Sequence, residues 1–125
     1  MAKVLIIDDD PDVRTLMQIL LSKNGYEIDT ASRKEEVMDK IEKFAPAIIL
    51  LDVLLSGSDG RELCKEIKHK YREAGIKVIM ISAHPSASDK IANYGADDFI
   101  SKPVNAQILL DKLMHFRATK TAREA

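Results

Sequence analysis

The sequence lacks several features that would place it in particular functional classes. Its 125 residues include one cysteine, Cys64, so no internal disulfide can form, and such usage fits a reducing compartment. Neither sign of charge is in surplus: 19 Lys and Arg stand against 20 Asp and Glu, for a formal net charge of −1. A nucleic-acid surface or an anionic-membrane anchor would call for a basic excess, so no nucleic-acid or membrane partner is expected. No apolar run approaches the roughly 20 residues of a membrane span. The opening "MAKVLIIDDD" turns acidic too soon to hold a signal-peptide core. There is no internal repeat and no low-complexity segment. A cytoplasmic protein is the expectation.

What is present is ordinary in amount and informative in order. The composition, 46% hydrophobic and 31% charged, is that of a globular domain. The length suits one domain able to bury about two thirds of its unfolded surface. Short apolar runs alternate with helix-period segments. "KVLII" precedes a helix with Asp10 as N-cap, Pro11 in its first turn, an inward stripe of Val13, Leu16, Met17 and Leu20, and Gly25 as the stop. "YEIDT" reads as an edge strand. Ser32 with Glu35 forms a capping-box pattern before a helix with Val37, Met38, Ile41 and Phe44 facing inward. "AIILL" leads to a helix from about Gly60, capped by Asp59, with Leu63, Cys64 and Ile67 inward. "KVIMI", a short helix in "SASDKIANYG", the strand "DDFIS" and a last helix capped by Asn105 complete the chain.

Five such units with nearly continuous apolar strands predict an α/β fold: a doubly wound, five-stranded parallel sheet of order 2-1-3-4-5, flavodoxin-like in architecture. In these sheets the functional crevice lies beyond the carboxyl ends of the strands, where the strand order reverses. The first strand ends in Asp8, Asp9 and Asp10, the third in Asp52, the fourth in Ser82, and Lys102 follows the fifth. Carboxylates crowded in a partly desolvated crevice repel, and a hard divalent cation relieves them; an all-oxygen site with room for waters suits Mg²⁺. Lys102 and Ser82 could then hold a tetrahedral anion against Asp52, making that carboxylate a nucleophile towards phosphorus.

Four segments, "VLIIDDDPDVR", "IILLDVLLSGSDG", "VIMISAH" and "GADDFISKPV", occur in the order and spacing of one family. Through them the chain resembles the receiver domain of bacterial two-component response regulators, up to about Phe116. The resemblance implies a receiver domain over residues 1–117 and a polar tail over 118–125. It implies phosphorylation of Asp52 by a histidine kinase or phosphotransfer protein, and an Mg²⁺ cofactor held by Asp8, Asp9, Asp52 and the backbone carbonyl of Leu54, with Asp9 the direct ligand of the acidic pair. Ser82 and Lys102 match the switch hydroxyl and the phosphate-binding lysine, and Phe99 the rotating aromatic. The Lys102–Pro103 bond is usually cis in that family. The implied role is that of a phosphoacceptor assisting its own transfer and dephosphorylation, not of an enzyme. It would switch the face of the fourth helix, fifth strand and fifth helix, towards an effector or a second copy in a homodimer.

Two departures stand out. Ser56 replaces a proline common in the family, which implies a more flexible "SGSDG" loop. Phe99 lacks a hydroxyl found in many members, which favours an inward, buried ring. Leu54 and His84 match positions that shape water access to the acyl phosphate, so an apolar Leu54 and a titrating His84 are expected to lengthen its lifetime. Surplus apolar residues on the last helix, Leu110 and Met114, are expected to be exposed. Cys64 reads as core, His69 as solvated, His115 as favouring the helix dipole, and Asp97 and Asp98 as opening a strand without a catalytic part.

Rival readings fit less well. Asp8-x-Asp10 also occurs after a strand in haloacid-dehalogenase-type phosphatases, but the Gly-Thr expected next is absent. A flavodoxin-like cofactor binder needs a Ser/Thr/Gly-rich phosphate loop, and the loop here is acidic. A degenerate receiver acting as a phosphorylation-independent docking module would have lost one of the key residues, and none is missing.

Overall fold

Alternation within the strands decides how the layers form. The computed structural model describes residues 2–55, 57–83 and 93–124, with side chains to residue 117. In β1 (Lys3–Ile7), Val4 and Ile6 enter one apolar cluster and Leu5 and Ile7 the other. The same two-way division holds for β3 (Ile48–Asp52) and β6 (Lys77–Ser82). Strands apolar on both faces need cover on both faces, which is why the sheet is interior and parallel. With β2 (Glu27–Ala31) and β7 (Asp98–Ser101) the order is β2-β1-β3-β6-β7, every pairing parallel. Numbered among the five long strands, this is the expected 2-1-3-4-5.

One face is covered by α2 (Lys34–Phe44) and α3 (Gly60–Lys70), through Val37, Ile41, Leu63, Cys64 and Ile67. The other is covered by α1 (Pro11–Lys23) and α4 (Ala106–Glu124), through Met17, Leu21, Leu109, Leu113 and Phe116. Burial pushes the Cys64 thiol up to about 11, in keeping with a core residue. None of the described helices is long and apolar enough to cross a membrane.

Several local expectations are revised. Leu16 is 68% exposed, and Leu21 takes the inward place assigned to it. Met17 and Leu21, one turn apart, form the line of α1 that meets the sheet, and Val13 and Leu20 flank it. The α2 cap is set one residue further on: Arg33 is the N-cap and Glu36, not Glu35, closes the capping box. Glu36 accepts from the Ser32 N–H and hydroxyl and from the Arg33 N–H, and these bonds hold its carboxyl below the usual range. On α4 the exposed apolar residues are Ile108 and Met114, while Leu110 packs half-buried against the core. α4 also runs on to Glu124, so His115 does not lie in its last turn. The caps Asp10, Asp59 and Asn105 are formed as expected, each side chain accepting from a backbone N–H of the first turn.

Candidate functional site

The crevice is assembled by strand ends in register. Parallel pairing sets Ile7 beside Leu51 and Asp52 beside Ile81, so the residues following β1 and ending β3 emerge at the same edge. Ser82 ends β6, is buried, and lies opposite Ser101 of β7. The Lys102 N–H donates to the Ser82 carbonyl at 2.8 Å, which fixes the backbone from which Lys102 turns into the crevice. The Lys102–Pro103 peptide is cis.

Asp8 and Asp52 are buried, at 1% and 6% exposure, and Asp9 is exposed beside them. One carboxylate oxygen from each of the three comes within 4.8 Å of the others. The Lys102 ammonium bridges the buried pair, 3.2 Å from Asp8 Oδ2 and 3.4 Å from Asp52 Oδ2. Asp52 Oδ1 also accepts from the Leu54 N–H at 3.2 Å. Burial raises the Asp52 carboxyl above its ordinary range, and the Asp8 charge adds to this; Lys102 and the Leu54 N–H act in the opposite direction. For Lys102, burial acts to lower the ammonium, but Asp52 and Asp8 outweigh it and the net direction is upward. The lysine therefore stays charged between two acids, and its one positive charge faces three negative ones. Such a surplus of hard oxygen donors, close enough to share an ion, fits a small divalent cation.

The arrangement has a consequence for stability without metal. Because Asp52 is raised in the folded state, the fold binds its proton more tightly than the unfolded chain does. That contribution is present at acid pH and is lost as pH rises through the folded-state value. Asp52→Asn cannot titrate, so in chelator it should melt about 3–6 °C above wild type at neutral pH, the shift that about 1 kcal/mol produces in a domain of this size. The gap should close as the pH falls through the acid range. Calorimetry across that range is the check; a variant melting lower at neutral pH contradicts the reading.

In the loop after Asp52, Leu54–Leu55 (β4) pairs antiparallel with Ser58–Asp59 (β5) in a two-stranded hairpin, an element the sequence reading does not include. Gly57 lies in the connection with φ +72°, a conformation that favours glycine. The side chain of Leu54 is 56% exposed at the rim of the site. Phe99 is half-buried, packed against the core on the α2–α3 side. Ser56, His84 and the segment assigned to the fourth helix as far as residue 92 lie outside the described residues. Arg14 was not anticipated: its guanidinium Nη1 donates to the Asp8 carbonyl at 2.7 Å. Only its position on the first helix, six residues past Asp8, hinted at such reach. Asp97 is a joint between elements, accepting from Lys68 Nζ and the Val78 N–H, each at 2.8 Å.

Residues 4–114 match the family described as response regulator receiver domain. Among solved structures, the receiver domain of NtrX from Brucella abortus is 35% identical with a TM-score of 0.83, the match covering 90% of this chain and 96% of that one. A two-component response regulator from Clostridium difficile is 30% identical with a TM-score of 0.87, covering 94% and 97%. The chemotaxis protein CheY4 of Vibrio cholerae is 28% identical with a TM-score of 0.84, covering 93% and 98%.

Proposed function

The chain belongs to the receiver domain family of response regulators in two-component systems, and from this premise we propose that it is a working phosphoacceptor, with Asp52 the residue that takes the phosphoryl group. The observation that carries the proposal is the bridge from Lys102 to both buried carboxylates, with Asp9 exposed beside them. A carboxylate paired with a lysine at the rim of a sheet is placed for in-line attack on phosphorus.

The donor is a phosphohistidine of a kinase or phosphotransfer protein. An Asp52 oxygen attacks phosphorus, the phosphorus–nitrogen bond breaks, and the freed imidazole leaves with its electron pair. Lys102 moves its charge from the carboxylate to a phosphoryl oxygen, and the Ser82 hydroxyl closes on another. The Leu54 N–H orients the Asp52 carboxylate for the attack. Asp8, Asp9, Asp52 and the Leu54 carbonyl would hold Mg²⁺, whose charge, when bound, offsets that of the transferred group. Water later attacks the acyl phosphate in the same site, releasing inorganic phosphate and restoring the Asp52 carboxylate, so the protein assists its own dephosphorylation. Exposed Leu54 leaves no hydrogen-bonding side chain at its position to orient that water.

Output follows as a population shift, phosphorylation favouring one of two arrangements. Ile108 and Met114 on α4 are the exposed apolar residues available there to an effector or a second copy. Incubation of the purified protein with a small acyl phosphate and Mg²⁺ tests the proposal. Mass spectrometry should find one phosphoryl group, on the peptide containing Asp52, and none when the metal is chelated.

A further inference from the structure

Every polar atom of Asp8 is held. Its N–H donates to the Ala31 carbonyl at 3.1 Å, Oδ1 accepts from the Asp10 N–H at 3.0 Å, Oδ2 faces Lys102, and its carbonyl accepts from Arg14. Asp9 is the opposite case. Its carboxylate is exposed and accepts no hydrogen bond among the described residues, so the backbone that carries it is what the surrounding contacts can hold. The Asp8 carbonyl and the Asp9 N–H belong to one peptide plane, and turning that plane swings the Asp9 side chain. Arg14 grips this plane from outside the loop. Its own N–H is bonded to the Asp10 carbonyl at 3.1 Å, so the arm is rooted in the helix proper, and the guanidinium contact at 2.7 Å is short and charge-assisted.

We propose that Arg14 is a positioning residue for the cation site, fixing the Asp8–Asp9 peptide so that the otherwise unsupported Asp9 carboxylate faces Asp8 and Asp52. The inference rests on the Mg²⁺ reading given above and adds a determinant of its affinity. Charge and position predict opposite signs here. A guanidinium beside a cation site repels the cation, so if charge alone mattered, removing it would tighten binding. If position dominates, removing it loosens binding despite the favourable change in charge.

Isothermal titration of Mg²⁺ into chelator-stripped protein separates the two. Arg14→Ala should bind about tenfold more weakly than wild type, the lower end of what outer-sphere partners of metal ligands contribute. Arg14→Lys, which keeps a donor on a flexible stem, should recover part of the loss even though it restores the repelling charge. Should the alanine variant fail to fold in chelator, Arg14→Met, which keeps an unbranched apolar stem but neither donor nor charge, must show weakened binding in its place. Equal or tighter binding by the neutral variant, or a lysine variant no better than alanine, overturns the proposal. Wild-type protein that takes up no Mg²⁺ overturns the metal reading and this one together, whereas wild type that binds beside an unaffected Arg14→Ala overturns this one alone.

Discussion

Gly60→Ala, the addition of a single methyl group, should lower the melting temperature by roughly 10 °C, the equivalent of about 3 kcal/mol. Gly60 opens α3 immediately after the hairpin that follows Asp52, and its N–H donates to the Val53 carbonyl at 2.7 Å. A Cβ there would overlap the Asp52 carbonyl oxygen and lie 2.9 Å from that of Val53. Both are backbone atoms at the end of a buried strand, so no flexible side chain can give way. Relief requires the start of α3 to move or the end of β3 to turn, and either displaces Asp52 from Lys102. Phosphorylation should fall along with stability. Gly57→Ala is the control. There a Cβ meets open space and the strain is only that of φ +72°, so about 1 kcal/mol is expected. Thermal melts of the two variants decide the matter; equal losses would mean that the close approach at Gly60 is not the constraint.

Lys102→Ala should slow phosphorylation by a small acyl phosphate by about 10²–10³, the loss usual when one donor to a developing oxyanion is removed. Its ammonium serves Asp8 and Asp52 at once, so its removal leaves two buried carboxylates with no cation between them. Lys102 is one of the influences that hold the Asp52 carboxyl down against burial and the Asp8 charge. Without it the Asp52 carboxyl of the metal-free protein is raised further. Lys102→Arg should not restore the rate, because a planar guanidinium does not substitute for a compact ammonium between two acids. Initial rates at saturating Mg²⁺ are the measurement. An unchanged rate would remove Lys102 from the chemistry.

Much of this was readable before any coordinates. Continuous apolar runs, such as "AIILL" and "VIMI", announce a sheet covered on both faces, and right-handed crossovers then leave little choice of order. The crevice followed, because polar residues at the ends of such strands have few other reasons to be there. What was misread came from geometry that periodicity does not carry. Leu16 and Leu21 are both apolar and a helical stripe can be drawn through either; the docking of α1 chose Leu21 and left Leu16 over a groove beside Lys102, Pro103 and Val104. Leu110 and Ile108 differ in the same way on α4. Ser32 offers a cap signal, but Arg33 adopts the N-cap conformation, so the reciprocal glutamate moved from Glu35 to Glu36. In "LLSGSD" the short pairing of Leu54 and Leu55 with Ser58 and Asp59 has no signal in the sequence, because two-residue strands are too short to show a period. Arg14 could not be found by pattern, since its role lies in the reach of one side chain to one carbonyl.

The central claim is that the buried carboxylate of Asp52, paired with Lys102, is the phosphoacceptor. The most direct test is radiolabelled acyl phosphate with Mg²⁺ on wild type and Asp52→Asn, followed by hydroxylamine. Wild type should take up one phosphoryl group and release it to hydroxylamine, as an acyl phosphate must, while Asp52→Asn, folded and more stable in chelator, should take up none. Equal, hydroxylamine-labile labelling of both proteins would contradict the account.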